Sequence, residues 1–165
     1  MRKFVARRSG RGKLNYVWSA AGNDGWSALA ANTSVAAASL TVADGSSDAT
    51  IKRIRGHFAV SNNTAGFNQL WGAVGIIKVQ DLQVGTLASM PTPFTNPGYD
   101  WLWHHFWSFA NNGTTVANFY SCEIDSKAQR RIDDNESLVL IVENACGVSV
   151  DFNYGFRELT ATSRR

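Results

Sequence analysis

Cysteine is almost missing from this chain. Cys122 and Cys146 are the only two, too few for a disulfide scaffold or a thiolate zinc site. They predict free, mostly buried thiols in a reducing compartment. Long apolar runs are missing too. None approaches the ~20 residues of a membrane-spanning helix, so no membrane partner is expected. The basic start is not followed by the apolar segment of a secretory leader. There is no G-x-S-x-G and no P-loop. His104 and His105 are adjacent, so in a strand they point to opposite faces and cannot chelate one metal. His57 is the only other histidine, and a cupin-type His-x-His with a nearby glutamate is absent. These absences predict no enzyme activity, no cofactor and no metal site.

Charge is sparse and uneven. Only 18% of the 165 residues are charged, while 44% are hydrophobic and 12% aromatic. That is enough apolar material for one domain with a packed core. A surface so lean and aromatic is either partly covered by partners or belongs to a small β domain with an aromatic core. Acids are absent from residues 1–13, which hold six bases: Arg2, Lys3, Arg7, Arg8, Arg11 and Lys13. Of sixteen basic residues, ten remain for the rest of the chain against all thirteen acids, a net −3. The sequence is thus a mildly acidic body behind a basic arm of the kind a phosphate backbone attracts. The arm contains Gly10 and Gly12 and is too polar to fold alone. A mitochondrial presequence is a competing reading, but its amphipathic helix is hard to draw through Ser9-Gly10-Arg11-Gly12. A nuclear localisation signal is compatible with nucleic-acid binding.

The strongest structural signal is Ser137 to Phe156. Leu138 to Val142 is continuously apolar, as in a strand buried on both faces. Val148, Val150, Phe152, Tyr154 and Phe156 then alternate with polar residues, which marks a strand with one apolar face. The turn Asn144-Ala145-Cys146-Gly147 between them predicts a hairpin. Further strands are read over Leu14–Trp18, Ser34–Ala43, Thr50–Val60, Leu70–Val79, Asp100–Phe109 and Asn118–Arg130. Ile51 and Ile54 break alternation, which predicts a bulge near Arg53. Gly72 and Gly75 loosen their strand. All three prolines, Pro91, Pro93 and Pro97, fall in the longest connection, Asp81 to Tyr99, and a loop of that length is functional or interfacial. Eight strands with regular turns and long crossing connections predict an all-β, antiparallel jelly-roll sandwich. An immunoglobulin-like sandwich fits less well, because no Trp lies between paired cysteines.

Three segments carry a family resemblance: RRSGRGK (Arg7 to Lys13), DWLWHHFW (Asp100 to Trp107) and EIDSKAQRRIDDNESLVLIVEN (Glu123 to Asn144). With them the chain resembles the single jelly-roll capsid proteins of small icosahedral viruses. The nearest likeness is to small circular single-stranded DNA viruses and their relatives. The resemblance implies a basic arm over 1–13, a shell domain over 14–162 and a short basic tail over 163–165. It implies self-assembly into a closed icosahedral shell of about 60 copies or a multiple. It also implies non-sequence-specific packaging of a viral genome, single-stranded DNA being favoured and RNA being the alternative. The protein would reside in the virion, and in host nucleus or cytoplasm during assembly. The arm is shorter than in many such proteins.

The residues predicted to bind nucleic acid are Arg2, Lys3, Arg7, Arg8, Arg11 and Lys13, through phosphates and without base specificity, with Arg53 and Arg55 as a second cluster. In a strand, Arg53 and Arg55 share a face. The competing reading is a solvated strand face paired with Glu123 or Asp125. Those two acids also share a face and are readable as calcium ligands between subunits or as a salt-bridged pair. Lys127, Arg130 and Arg131 face Asp133, Asp134 and Glu136 in sequence, which predicts local or intersubunit ion pairs. Trp101, Trp103, His105 and Trp107 are expected on one strand face, and Leu102, His104, Phe106 and Ser108 on the other. Core or interface burial of these aromatics is expected over a sugar-stacking platform. A lectin-like jelly-roll module is the functional alternative.

Overall fold

The computed structural model describes residues 14–23, 25–41, 49–62, 67–80, 92–112, 118–133 and 136–163. The arm 1–13 and its six basic residues, the loop 44–48, the first part of the long connection (81–91) and residues 164–165 lie outside the described residues.

Ten strands form among these residues. They are β1 Leu14–Gly22, β2 Ser27–Leu29, β3 Thr33–Thr41, β4 Ala49–Asn62, β5 Phe67–Gln80, β6 Trp101–Asn112, β7 Asn118–Ser126, β8 Arg130–Ile132, β9 Glu136–Asn144 and β10 Val150–Ser163. One sheet has six strands, β1-β10-β4-β7 with β2 and β8 added at its margins. The other runs β3-β9-β5-β6. The count of eight is corrected to ten, and the two additions are three-residue pieces. The expected strand over Asn118–Arg130 is in fact two, β7 and β8, interrupted at 127–129. Both halves pair with β4, and their gap faces the point where β4 bulges. Leu159 pairs with Arg53 and Thr160 with Ile51, so Lys52 is the extra residue. The bulge turns both Ile51 and Ile54 into the core, each 0% exposed.

Without the two short pieces, the pairing is nested. The first long strand pairs with the eighth (β1–β10) and the second with the seventh (β3–β9). The third pairs with the sixth (β4–β7) and the fourth with the fifth (β5–β6). A folded ribbon rolled up on itself gives this order, so the two-sheet sandwich is a jelly roll.

The predicted hairpin between Leu138–Val142 and Val148–Phe156 does not form. β9 lies in the four-stranded sheet and β10 in the six-stranded one, so residues 145–149 carry the chain between layers. The reason is a side-chain network that ties the corner to a distant segment. The buried Asn144 side chain donates to the carbonyls of Ala30 (2.9 Å) and Val148 (2.8 Å). Its Oδ1 accepts from the backbone N–H (3.1 Å) and Sγ (2.7 Å) of Cys146. That network satisfies the backbone at a sharp corner rather than in a two-strand turn.

The interior is filled by alternate residues of β10 (Val150, Phe152, Tyr154, Phe156) and of β4 (Phe58, Val60) with Leu138, Leu140 and Val142 of β9. β9 is buried on both faces, as its apolar run predicts. Val139 and Ile141 belong to a second cluster with Ile77 and Val79, against which Trp101 packs. Pro93 and Trp101 lie over Gly75, and Trp101 Nε1 donates to the Asn96 carbonyl (3.1 Å). The described part of the long connection is therefore a cover for the smaller sheet.

Trp101 does not share a face with Trp107. A register shift opposite Ile76 and Ile77 skips Leu102. Leu102 therefore joins the main core, while Trp101 packs against the second cluster. Trp107 remains inside, 1% exposed. Gly72 and Gly75 are not slack in β5. A Cβ on Gly72 would stand 2.2 Å from the Trp107 ring and one on Gly75 2.6 Å from the Trp101 ring, so both glycines admit indoles. Both thiols are free, and burial pushes the Cys122 thiol up to about 11.

Candidate functional surface

The outer face of the six-stranded sheet brings together residues from four strands. Alternation along β10 turns Asp151, Asn153, Gly155 and Arg157 away from the core that holds Phe152, Tyr154 and Phe156. Register then sets rows across the sheet. Ala20, Arg157, Arg55 and Asp125 form one row, and Gly22, Gly155, His57 and Glu123 the next. Between them lies a groove of about 560 Å³ whose walls include Arg55, His57, Glu123, Asp125 and Arg157.

Arg53 and Arg55 both reach this face, as their spacing requires, but they are not equivalent. Arg53 grips Asp125 with two hydrogen bonds, Nε to Oδ1 at 2.9 Å and Nη2 to Oδ2 at 2.7 Å. Arg55 Nε stands 4.0 Å from the same Oδ1. The Arg53 hydrogen bonds hold the Asp125 carboxyl below its ordinary range, with help from the charges of Arg55 and Lys127. The pairing foreseen between this face and Asp125 is present for Arg53. Glu123 lies across from His57 at the groove's far wall.

Sequence reasoning overlooked two groups here. Arg157 is directly opposite Arg55 on the adjacent strand, and like charges so placed repel. Its guanidinium carbon sits 5.0 Å from the centre of the Trp18 ring. Trp18 is 48% exposed and Tyr16, two residues earlier, 56%. Both were legible. Extending the Val148–Phe156 alternation by one residue turns Arg157 outward, and Tyr16 and Trp18 share parity on β1.

Among the described residues of the predicted ion-pair cluster only Arg131–Asp133 is a local pair, while Arg130 and Glu136 take partners from outside it. Arg130 pairs with Asp100 (2.9 Å), Arg131 with Asp133 (3.1 Å) and Lys78 with Glu136 (2.8 Å). These are exposed or half-buried pairs of small weight. His104 is exposed on β6, whereas His105 points inward and shares a hydrogen bond with the Tyr120 hydroxyl, ring on ring. His57 lies on the other sheet, its Nε2 3.1 Å from Asn153 Oδ1.

The Asp125 clamp yields one prediction. Asp125→Asn is expected to free Arg53 and Arg55 and to tighten binding of a polyanion such as heparin or oligo(dT) roughly threefold or more at low salt. The melting temperature is expected to stay nearly unchanged, since the pair is solvated. Unaltered affinity in a salt titration would mean that these arginines do not meet the anion.

No family model matches the chain, and no curated protein matches it. Among solved structures, a chain in "Structure of infectious bursal disease virus Gx strain" is similar over 92% of this chain, at 13% identity and a TM-score of 0.38. The alignment covers 36% of that chain, so this protein spans little more than a third of its length. The likeness is weak, and it is the nested strand order that defines the class: an all-β, two-sheet antiparallel jelly roll.

Proposed function

We propose that this chain is a structural capsid protein. It self-assembles into a closed icosahedral shell and packages nucleic acid through its arginine-rich N-terminal arm. The observation that carries this reading is the jelly-roll strand order joined covalently, at Leu14 of β1, to a stretch of thirteen residues with six bases and no acid. Jelly rolls serve as capsid, lectin and cupin domains. Of these, a shell protein is the one that gives such an arm a task. Fold alone does not assign function, so the arm is the deciding feature.

Physically, a shell of about 60 copies gathers roughly 360 arm charges around an enclosed genome. Binding through phosphates needs no base contacts and leaves the sequence free. The exposed aromatics Trp71, Phe94, Tyr99, Phe106 and Phe119 are the kind of surface that subunit contacts cover. The protein acts without catalysis, resides in the virion, and packages single-stranded DNA in preference to RNA.

The test is electron microscopy of purified protein, with the 260/280 nm absorbance ratio taken on the same nuclease-treated fraction. Closed particles with protected nucleic acid are expected. Deleting residues 1–13 is expected to leave folded protein whose particles are empty. A truncated protein that retains nucleic acid equally well in moderate salt would remove the arm's role. A small soluble species at every salt and pH would remove the shell and favour a sugar-binding module.

A further inference from the structure

We propose that the groove on the outer face of the six-stranded sheet is a second nucleic-acid site. It holds a short single-stranded run, one base on His57 in the groove and another on Trp18, which stands beside the groove against Arg157, with phosphates on Arg157 and Arg55. This rests on the packaging reading above and adds to it a place and a strandedness.

Four observations converge. First, the groove's volume of about 560 Å³ is that of a small-ligand site, roughly 300–1,000 Å³. Second, its floor is kept low by Gly155 of β10, which lines it without a side chain. His57 stands over Gly155, so close that a Cβ there would come within 2.8 Å of its Cε1. The exposed imidazole thus lines the groove.

Third, Arg157 and Arg55 stand side by side with a single nearby carboxylate, Asp125, whose oxygens are already held by Arg53. Two opposed guanidiniums that share one carboxylate with Arg53 are only partly neutralised, and an anion between them relieves their repulsion. Glu123 on the far wall repels phosphate and so turns the backbone toward the Arg157 side. Fourth, Trp18 is half-exposed with a guanidinium on its ring. Large apolar rings left in water beside cations are the components from which single-strand platforms are built.

These components distinguish single strands from duplex. A duplex keeps its bases stacked inside and shows the protein only phosphates, which leaves Trp18 and His57 idle. An unpaired strand offers π-faces to both rings and phosphates to both arginines, without a requirement for sequence.

The experiment is fluorescence anisotropy of a fluorescein-labelled oligo(dT) and of a duplex of equal length, titrated with the full-length chain. Variants W18A, W18F, R157A and R157K are compared with wild type and with protein lacking residues 1–13. Trp18→Ala and Arg157→Ala are each expected to weaken single-strand binding about tenfold, the lower range for one lost base stack. Duplex binding is expected to change far less for Trp18→Ala. Trp18→Phe restores most of the loss, and Arg157→Lys keeps the salt slope while losing affinity.

If W18A and R157A bind oligo(dT) like wild type, the groove is overturned while the arm reading stands. Complete loss of single-strand binding on deleting residues 1–13 alone also overturns the groove. Wild type that binds neither probe removes the packaging reading itself.

Discussion

Asn144→Ala is expected to destabilise the folded chain by about 3–5 kcal/mol, a loss typical of breaking a buried polar network. Asn144 is 1% exposed, and its amide is the knot where the chain leaves the four-stranded sheet. Its Nδ2 reaches carbonyls on two separate segments, Ala30 and Val148. Its Oδ1 accepts from the backbone and thiol of Cys146. Alanine leaves two carbonyls and one buried N–H without these partners. Each buried orphan costs about 1–3 kcal/mol, less where water reaches it, as at exposed Ala30. The expected drop in melting temperature is about 10 °C or more for a domain of this size. Asn144→Asp is the sharper variant, since it keeps the acceptor, loses both donors and buries a charge. Urea denaturation of both variants checks this. A loss below about 1 kcal/mol for Asn144→Ala would show that the corner is held by the strands alone.

The same corner shows where the sequence stops being readable. Residues 145–149 have the small and polar composition of a hairpin turn, and composition does not distinguish a turn within one sheet from a step between two. What decides is the partner of Asn144, 114 residues earlier at Ala30, and no local pattern contains that. Trp101 is a second case. Alternation is a reliable guide to facing only while the ladder is regular, and one skipped residue at Leu102 inverts every residue before it. In β4, by contrast, the irregularity was visible, because Ile51 and Ile54 are both apolar at a spacing strict alternation forbids. The bulge at Lys52 then followed, though not the break it imposes on the partner strand at 127–129. Several long strands were legible from their alternation, and β9 from its unbroken apolar run. Their nested order was legible only as the rolled form such a set adopts.

On the candidate surface, parity foretold that Arg53 and Arg55 share a face, and it names Asp125 as one of two acids able to reach them. Register decided that Asp125 rather than Glu123 is the partner. Register also set Arg157 beside Arg55 and left Glu123 opposite His57. The arm remains a statement of composition: six bases, no acids, two glycines.

The parity that turns Arg157 outward also turns the next residue in, and that residue is an acid. Glu158 is 0% exposed, between Ser19 of β1 and Ile54 of β4 in register. Neither carboxylate oxygen has a hydrogen-bond partner, and neither does the hydroxyl of buried Thr160 beside it. Burial pushes the Glu158 carboxyl from 4.5 to about 7, with Thr160 only partly opposing that rise. Thr160 is near enough to favour the charge but not placed to bond it.

The consequence for stability follows from which state holds the proton. Below about 4.5 both folded and unfolded chains are protonated, and the site costs nothing extra. Between about 4.5 and about 7 the unfolded chain has released a proton that the folded one keeps, so stability falls as pH rises. Above about 7 the loss is complete. It is on the order of 3 kcal/mol, because each pH unit between the two titrations is worth about 1.36 kcal/mol. Glu158→Gln removes the charge at nearly constant volume. It is expected to match wild type near pH 4 and to exceed it by up to about 3 kcal/mol at pH 8. The pH dependence across that window is expected to flatten in the variant. Urea titrations at pH 4.5, 6 and 8 read both quantities. A wild-type curve whose decline persists unchanged in Glu158→Gln would assign the dependence to another group, and a decline in neither would mean the carboxylate finds a counter-charge when it ionises.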